Sequence, residues 1–90
     1  MGAQTYLGFD YGTKYLGIAV GSSTSGQSEP LATAAVRHGV PDWQVLDRLI
    51  KEWQPHALVV GLPLNMDDSE NEMTRAARKF GHRLQGRYNL

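Results

Sequence analysis

The stretch "LGFDYGTKYLGIAVG", residues 7–21, places a single carboxylate, Asp10, at the end of an apolar run and just before a tight turn. Apolar and small residues alternate on both sides of that turn, which predicts two strands that form a hairpin. Gly12 lies in the turn, where we expect it to supply a positive φ. An ionised acid beside buried residues is costly without a partner. Asp10 therefore either accepts hydrogen bonds from the amides of Gly12 and Thr13 or holds a cation such as Mg²⁺.

The composition is that of one small globular domain. The 90 residues are 41% hydrophobic and include no cysteine, which excludes disulfide scaffolds and cysteine-based zinc sites. The start of the chain has no secretory signal, and no apolar run approaches the roughly 20 residues that span a bilayer. We therefore expect a cytoplasmic protein with no membrane partner, folded as a single domain over residues 1–90.

The rest of the chain predicts a third strand, a helix, a fourth strand and a second helix. Residues 31–37 ("LATAAVR") have the character of a strand, and residues 57–62 ("ALVVGL") are continuously apolar, as in a strand covered on both faces. A strand–helix–strand connection favours parallel pairing in one sheet. We expect an α/β fold in which the first three strands form an antiparallel meander. The fourth strand would then lie parallel to the first, with the helices packed on the sheet.

Both predicted helices have recognisable starts. Asp42 caps the first helix and Pro55 ends it. Its apolar face is expected to comprise Trp43, Leu46, Ile50 and Trp53. The second helix is predicted from about 69 to 86, with Ser69 and Glu72 forming a capping box, so we interpret the acidic residues there as capping groups. Its buried face is expected to comprise Met73, Ala76, Ala77, Phe80 and Leu84.

A net charge of zero conceals a basic C-terminal part. Residues 1–72 carry four basic and nine acidic side chains, whereas residues 73–90 carry five basic ones and no acid. On a helical wheel the cations lie opposite the apolar face of the second helix, and they include Arg75, Arg78 and Lys79. Such a face is either an ordinary solvated surface or a site for a polyanion.

Three segments together resemble the YqgF family, also called RuvX: "FDYGTKYLGIAVG", "DWQVLDRLIKEWQP" and "VVGLPLNMDDSENEMTRAARKFGHRL". The resemblance extends from residue 7 to about 88. Its most specific part is the Asp-x-Gly-Thr turn followed, at this distance, by "GLPLN" (61–65). It implies the RNase H-like fold and a metal-dependent nuclease, described in the family as resolving Holliday junctions or maturing the 5′ end of pre-16S ribosomal RNA.

The resemblance also implies roles for individual residues. Asp10 is the first of three acids expected to hold Mg²⁺ or Mn²⁺, and structured RNA or branched DNA is the expected partner. Lys14 either is placed to meet a phosphate near the turn or is a solvated hairpin lysine. Arg75, Arg78 and Lys79 are expected to contact phosphates because of the basic face of the second helix and not because of the resemblance. Asn65 is expected mainly to position its loop. The other two acids of the family lie beyond the matching region, so we expect a truncated domain that binds metal weakly if at all, with little or no nuclease activity.

Two other functions fit parts of the same sequence. A non-catalytic nucleic-acid-binding module would use only the basic face of the second helix. An actin-like or sugar-kinase-like phosphate-binding hairpin also contains Asp-x-Gly-Thr, but those proteins need a second related domain that 90 residues do not supply. An exposed edge on the fourth strand would in any case favour self-association.

Overall fold

The computed structural model describes residues 4–90 and contains five strands and two helices. In chain order they are β1 (Thr5–Tyr11), β2 (Tyr15–Ser22), β3 (Ser28–Arg37), β4 (Val40–Pro41), α1 (Trp43–Trp53), β5 (Ala57–Val60) and α2 (Glu72–Tyr88). The strands form one sheet in the order β4-β3-β2-β1-β5. Neither helix has the length and apolarity that crossing a bilayer requires, as far as the described residues extend.

The sheet has the predicted mixed topology. β1, β2 and β3 form an antiparallel meander, with Asp10 of β1 opposite Gly17 of β2. β5 pairs with β1 in parallel, with Phe9 opposite Val60, and α1 lies in the crossover between the two edges of the sheet. This arrangement confirms the α/β class and is consistent with the RNase H-like fold.

The strands differ from the prediction in three ways. β5 ends at Val60 rather than residue 62, and it is not covered on both faces in the described chain, since Val59 is 52% exposed. β3 starts at Ser28 rather than residue 31, because its pairing with β2 continues past an irregularity between Ile18 and Ala19. β4 was not predicted at all, since two residues are too few to show a pattern. It follows a two-residue turn in which His38 and Gly39 both have positive φ, 52° and 78°, as type I′ hairpins require.

A single apolar core lies between the two helices and one face of the sheet. Phe80 of α2 is at its centre, with its ring centroid 5.7 Å from that of Phe9, 5.3 Å from Tyr11 and 6.2 Å from Trp43. The buried apolar residues are Leu7, Phe9, Tyr11, Leu16, Ile18, Ala34, Val36, Leu46, Leu49, Ala77, Phe80 and Leu84. In α1 it is Leu49 that enters the core, whereas Trp53 is 37% exposed, so the predicted face of this helix is rotated.

An ion-pair cluster joins α1 to the last turn of α2. Arg87 donates to both carboxylate oxygens of Asp47 at 3.0 and 2.7 Å, and the Tyr88 hydroxyl donates to Asp47 Oδ1 at 2.6 Å. The Arg87 guanidinium also lies 4.9 Å from the centroid of the Trp43 ring. Hydrogen bonds from Arg87 and Tyr88 lower the pKa of Asp47 to about 2. Burial and the bond to Asp47 raise the pKa of Tyr88 to about 12.

The Asp47 cluster predicts acid-sensitive stability. Because the folded-state pKa of Asp47 is below its ordinary 3.8, its contribution is complete above about pH 4 and is lost as the pH falls towards 2. The pair is about half-exposed, so we expect Asp47→Asn to lower the melting temperature at neutral pH by only about 2–5 °C. Below about pH 4 the difference from the unsubstituted chain should shrink.

The control for this prediction is Glu52→Gln, which removes a second carboxylate from the same helix. Glu52 is exposed and forms no ion pair within the described part of the chain. Thermal unfolding followed by circular dichroism gives the comparison. Equal decreases in melting temperature for Asp47→Asn and Glu52→Gln would show that the Asp47 cluster does not stabilise the helix pair.

Candidate functional site

Asp10 is exposed on the sheet face opposite the helices, one residue before the end of β1. It borders an open groove of about 420 Å³ whose walls include Gly8, Gly17, Ala19 and Gly61. These small residues project little or nothing into the groove, so a ligand or a backbone can approach the carboxylate closely. The groove therefore combines one acidic group with free space at the carboxyl ends of two parallel strands, β1 and β5.

The turn after Asp10 is held by backbone contacts rather than by its carboxylate. No side-chain hydrogen bond of Asp10 occurs among the described residues, so the alternative of a turn-capping aspartate has no support in the structure. Gly12 does not have positive φ, contrary to the expectation from sequence. It is required for another reason: a Cβ there would lie 2.7 Å from the Tyr15 carbonyl oxygen. The Lys14 carbonyl accepts from the Val36 amide at 2.8 Å, which joins the turn to β3.

Among the described residues that line the groove, Asp10 is the one carboxylate. Residues 4–90 contain no cluster of three or more histidine, aspartate or glutamate side chains suited to a metal ion. Asp67 instead accepts from the amide and hydroxyl of Ser69 at 3.0 and 2.5 Å, and these bonds lower its pKa. One carboxylate can be one of the few protein ligands that Mg²⁺ takes. A two-metal site does not fit the side chains described here.

The "GLPLN" loop is organised by Asn65 and lies beside Asp10. The Gly61 amide donates to the Phe9 carbonyl at 3.1 Å, which fixes the start of the loop against the end of β1. Asn65 Nδ2 donates to Ser69 Oγ, and Asn65 Oδ1 accepts from Asn71 Nδ2, both at 2.9 Å. The expected loop-positioning role of Asn65 is thus confirmed by its contacts.

Helix α2 starts two to three residues later than predicted. Asn71 is its N-cap: its side chain accepts from the Thr74 amide at 3.0 Å, while the Thr74 hydroxyl accepts from the Asn71 amide at 3.1 Å. The Ser69 and Glu72 capping box is therefore wrong. Thr74 is completely buried and its hydroxyl also donates to the Pro63 carbonyl. The sequence did contain this signal, since "NEMT" (71–74) has polar capping residues at the same spacing.

The observed cap predicts which loop substitution destabilises the protein. Asn71→Ala removes the N-cap bond and the bond to Asn65, and we expect a loss of about 1–2 kcal/mol in the free energy of unfolding. Ser69→Ala should lower the free energy of unfolding by less, because the Thr74 amide keeps its hydrogen bond to the Asn71 side chain. Urea unfolding measures both losses, provided that the free energy of unfolding depends on urea concentration with the same slope in each variant. A greater loss for Ser69→Ala would contradict the Asn71 cap.

The predicted phosphate-contacting residues differ in how free their charges are. Arg78 forms a two-bond ion pair with Glu70 at 2.7 and 2.9 Å, and this pairing lowers the pKa of Glu70. Lys14 is exposed in the turn after β1. Arg75 and Lys79 form no ion pair with any residue that the structure describes. Lys14, Arg75 and Lys79 therefore have charges available to a ligand, whereas the charge of Arg78 is largely compensated.

Comparison with known proteins gives a consistent set of relatives. A family model described as "RuvX: Holliday junction resolvase" matches residues 4–90. A Pseudomonas aeruginosa PAO1 protein named "Putative pre-16S rRNA nuclease" is 58% identical over 84 residues, covering 93% of this chain and 58% of that protein. Proteins of the same name from Aeromonas hydrophila ATCC 7966 and Pseudomonas fluorescens Pf0-1 are 52% identical over 88 residues and 54% over 90. These matches cover 98% and 100% of this chain and 63% and 62% of the relatives, so the chain spans about three-fifths of their length.

Proposed function

Because the chain belongs to the RuvX family, we propose that it supplies Asp10 as the first carboxylate of a metal-dependent nuclease acting on structured nucleic acid. The observation that carries this proposal is the position of Asp10, exposed in an open groove beside the "GLPLN" loop. The names of the relatives favour processing of the 5′ end of pre-16S rRNA, and the family description favours Holliday junctions. Both reactions hydrolyse a phosphodiester in a folded polyanion, in the cytoplasm.

We assign each predicted site residue a role on that basis. Asp10 offers one oxygen ligand to Mg²⁺ or Mn²⁺, and the cation would supply charge stabilisation at the phosphate and a more acidic water. Lys14, Arg75 and Lys79 contact backbone phosphates, which position a nucleic acid without selecting its sequence. Arg78 contributes less, because Glu70 compensates its charge. Since one carboxylate does not hold two cations, the 90-residue chain alone has little or no nuclease activity.

A chimera tests the role of Asp10 directly. The chain is extended with the part of the Pseudomonas aeruginosa relative that follows the matched 84 residues. We expect this chimera to cleave a pre-16S leader RNA or a four-way DNA junction when Mg²⁺ is added. Asp10→Asn in the chimera should lower the rate by at least about 100-fold. The unextended chain should leave both substrates intact.

Asp68→Asn is the matched control. It removes one carboxylate from the neighbouring loop, where the backbone already has a positive φ of 67° that asparagine tolerates. Binding of Mn²⁺ to the unextended chain gives a readout independent of cleavage, through paramagnetic broadening of the amides around Asp10 and Gly17. Equal broadening in Asp10→Asn would contradict the metal-ligand role. Cleavage by the unextended chain that disappears in Asp10→Asn would contradict the proposed inactivity.

The second candidate is a nucleic-acid-binding module without catalysis. The free charges of Arg75 and Lys79 favour it, because they need no metal and no further carboxylate. A chimera that binds RNA but cleaves neither substrate would support this function over the nuclease. The match over residues 4–90 favours either one over the phosphate-binding hairpin of actin-like or sugar-kinase-like proteins.

We also propose that β5 mediates self-association. β5 pairs with β1 on one side and forms an edge of the described sheet on the other. Val59 is 52% exposed, and the loop beyond it exposes Leu62, Leu64 and Met66. Edge strands with unpaired amides and apolar side chains readily add a strand from another molecule. A second copy of this chain is the partner that presents the same edge.

Sedimentation velocity over a range of concentrations tests this edge. We expect a dimer that dissociates on dilution, and Val59→Lys should shift the population to monomer because a lysine disfavours edge pairing. Val40→Lys is the control, since Val40 is 45% exposed on β4 at the other edge of the sheet. A monomer at every concentration, or an equal effect of both substitutions, would contradict association through β5.

A further inference from the structure

A small cleft lies between α2, the end of β1 and the turn that joins β3 to β4. It encloses about 200 Å³, and its walls include Tyr11, His38, Lys79 and Arg83. Tyr11 directly follows Asp10, but its side chain points to the helix side of the sheet, where it packs against Phe80. The cleft and the Asp10 groove therefore lie on opposite faces of the sheet at the same end of β1.

The two charged residues that line the cleft, Lys79 and Arg83, are both cationic. Lys79 and Arg83 are one helical turn apart on α2, and His38 faces them from the β3–β4 turn. No carboxylate lines the cleft, and Lys79 forms no ion pair within the part of the chain that the structure describes. Glu72 lies only in the wider hollow that adjoins it. A concave site of one charge sign attracts an anion.

The turn that carries His38 is anchored on both sides. The Gly39 carbonyl accepts from the Tyr11 hydroxyl at 3.2 Å and from Arg83 at 3.3 Å. His38 itself has a φ of 52°, a conformation that asparagine or glycine would adopt at lower cost in a hairpin of this type. The anchored turn thus places the imidazole of His38 among the groups that line the cleft.

The size of the cleft limits its ligand. Pockets for whole small molecules usually measure about 300–1,000 Å³, which is larger than this one. A phosphate group fits, and the three N–H donors of the Lys79 ammonium and the remaining donors of Arg83 suit its oxygens. Tyr11 and Phe80 also line the cleft.

We infer that this cleft is a phosphate subsite in which Lys79, Arg83 and His38 hold one backbone phosphate of the nucleic acid bound at Asp10. The inference rests on the proposed function and adds a contact on the other face of the sheet. A nucleic-acid strand that runs from the groove to the cleft would cross the β1–β2 turn and pass the exposed Lys14. The subsite positions the strand and takes no part in the hydrolysis itself.

Fluorescence anisotropy with the full 90-residue chain tests the subsite. A labelled RNA hairpin and a labelled four-way DNA junction are titrated in EDTA at several salt concentrations. Lys79→Gln should weaken binding about three- to tenfold and reduce the salt slope by about 0.7–0.9. His38→Asn, which keeps the turn conformation, should weaken binding without lowering the melting temperature. Lys51→Gln, an equal charge change at the end of α1, should leave binding unchanged.

The outcomes separate this inference from the function on which it rests. If the unsubstituted chain binds and both Lys79→Gln and His38→Asn bind equally well, the subsite is wrong and the proposed function stands. If the unsubstituted chain binds neither nucleic acid, the subsite is wrong, and cleavage by the chimera decides the proposed function separately. NMR titration distinguishes the source of the phosphate: we expect the amides of His38, Gly39 and Lys79 to shift with the RNA. Saturable shifts with inorganic phosphate but none with RNA would make this a free-phosphate site and overturn the inference.

Discussion

The parallel pairing of β1 with β5 determines where every candidate functional residue lies. It places Phe9 opposite Val60, so the carboxyl ends of the two strands lie side by side. The Gly61 amide continues this ladder by donating to the Phe9 carbonyl, and the "GLPLN" loop therefore starts next to Asp10. Without this pairing, the two sequence signatures would be 50 residues apart with no reason to meet. Ligand sites in sheets with parallel strands form at such ends.

Helix α2 connects the carboxyl ends of these two strands to the rest of the core. Phe80 packs against rings from β1 and α1, while Arg87 and Tyr88 bind Asp47 at the far end of the helix. These contacts fix the rotation of α2, which leaves Arg75 and Lys79 exposed and places Arg83 against the β3–β4 turn. Core packing therefore determines the position of the charged surface of α2 that a nucleic acid would meet.

Local patterns were sufficient to predict most of the fold. The alternation in β1 and β2, the Asp42 cap of α1 and the apolar run of β5 depend on neighbouring residues, and the structure contains all of them. The antiparallel meander and the parallel fourth strand followed from these elements and from the pairing that a strand–helix–strand connection favours. The RNase H-like fold was implied by the family resemblance. The family resemblance then identified Asp10, whose local sequence alone left a turn-capping role equally open.

The errors arose where contacts distant in sequence decide between equivalent local patterns. Ser69 with Glu72 and Asn71 with Thr74 both fit a capping box, and the buried bond from Thr74 to Pro63 selects the second. The pairing of Arg78 with Glu70 spans eight residues and crosses the start of the helix, so helical spacing does not reveal it.

The two faces of the sheet have different roles, and this affects which residues can change in evolution. The buried apolar side chains form one core on the helix side, whereas five of the eleven residues that line the Asp10 groove on the other side are glycine or alanine. Changes in the groove therefore disturb few contacts that hold the fold together. At Gly17, for example, an added methyl group would meet Asp10 Cβ only at 3.6 Å, an ordinary contact distance. One surface of the same strands can diverge in specificity while the other conserves the architecture.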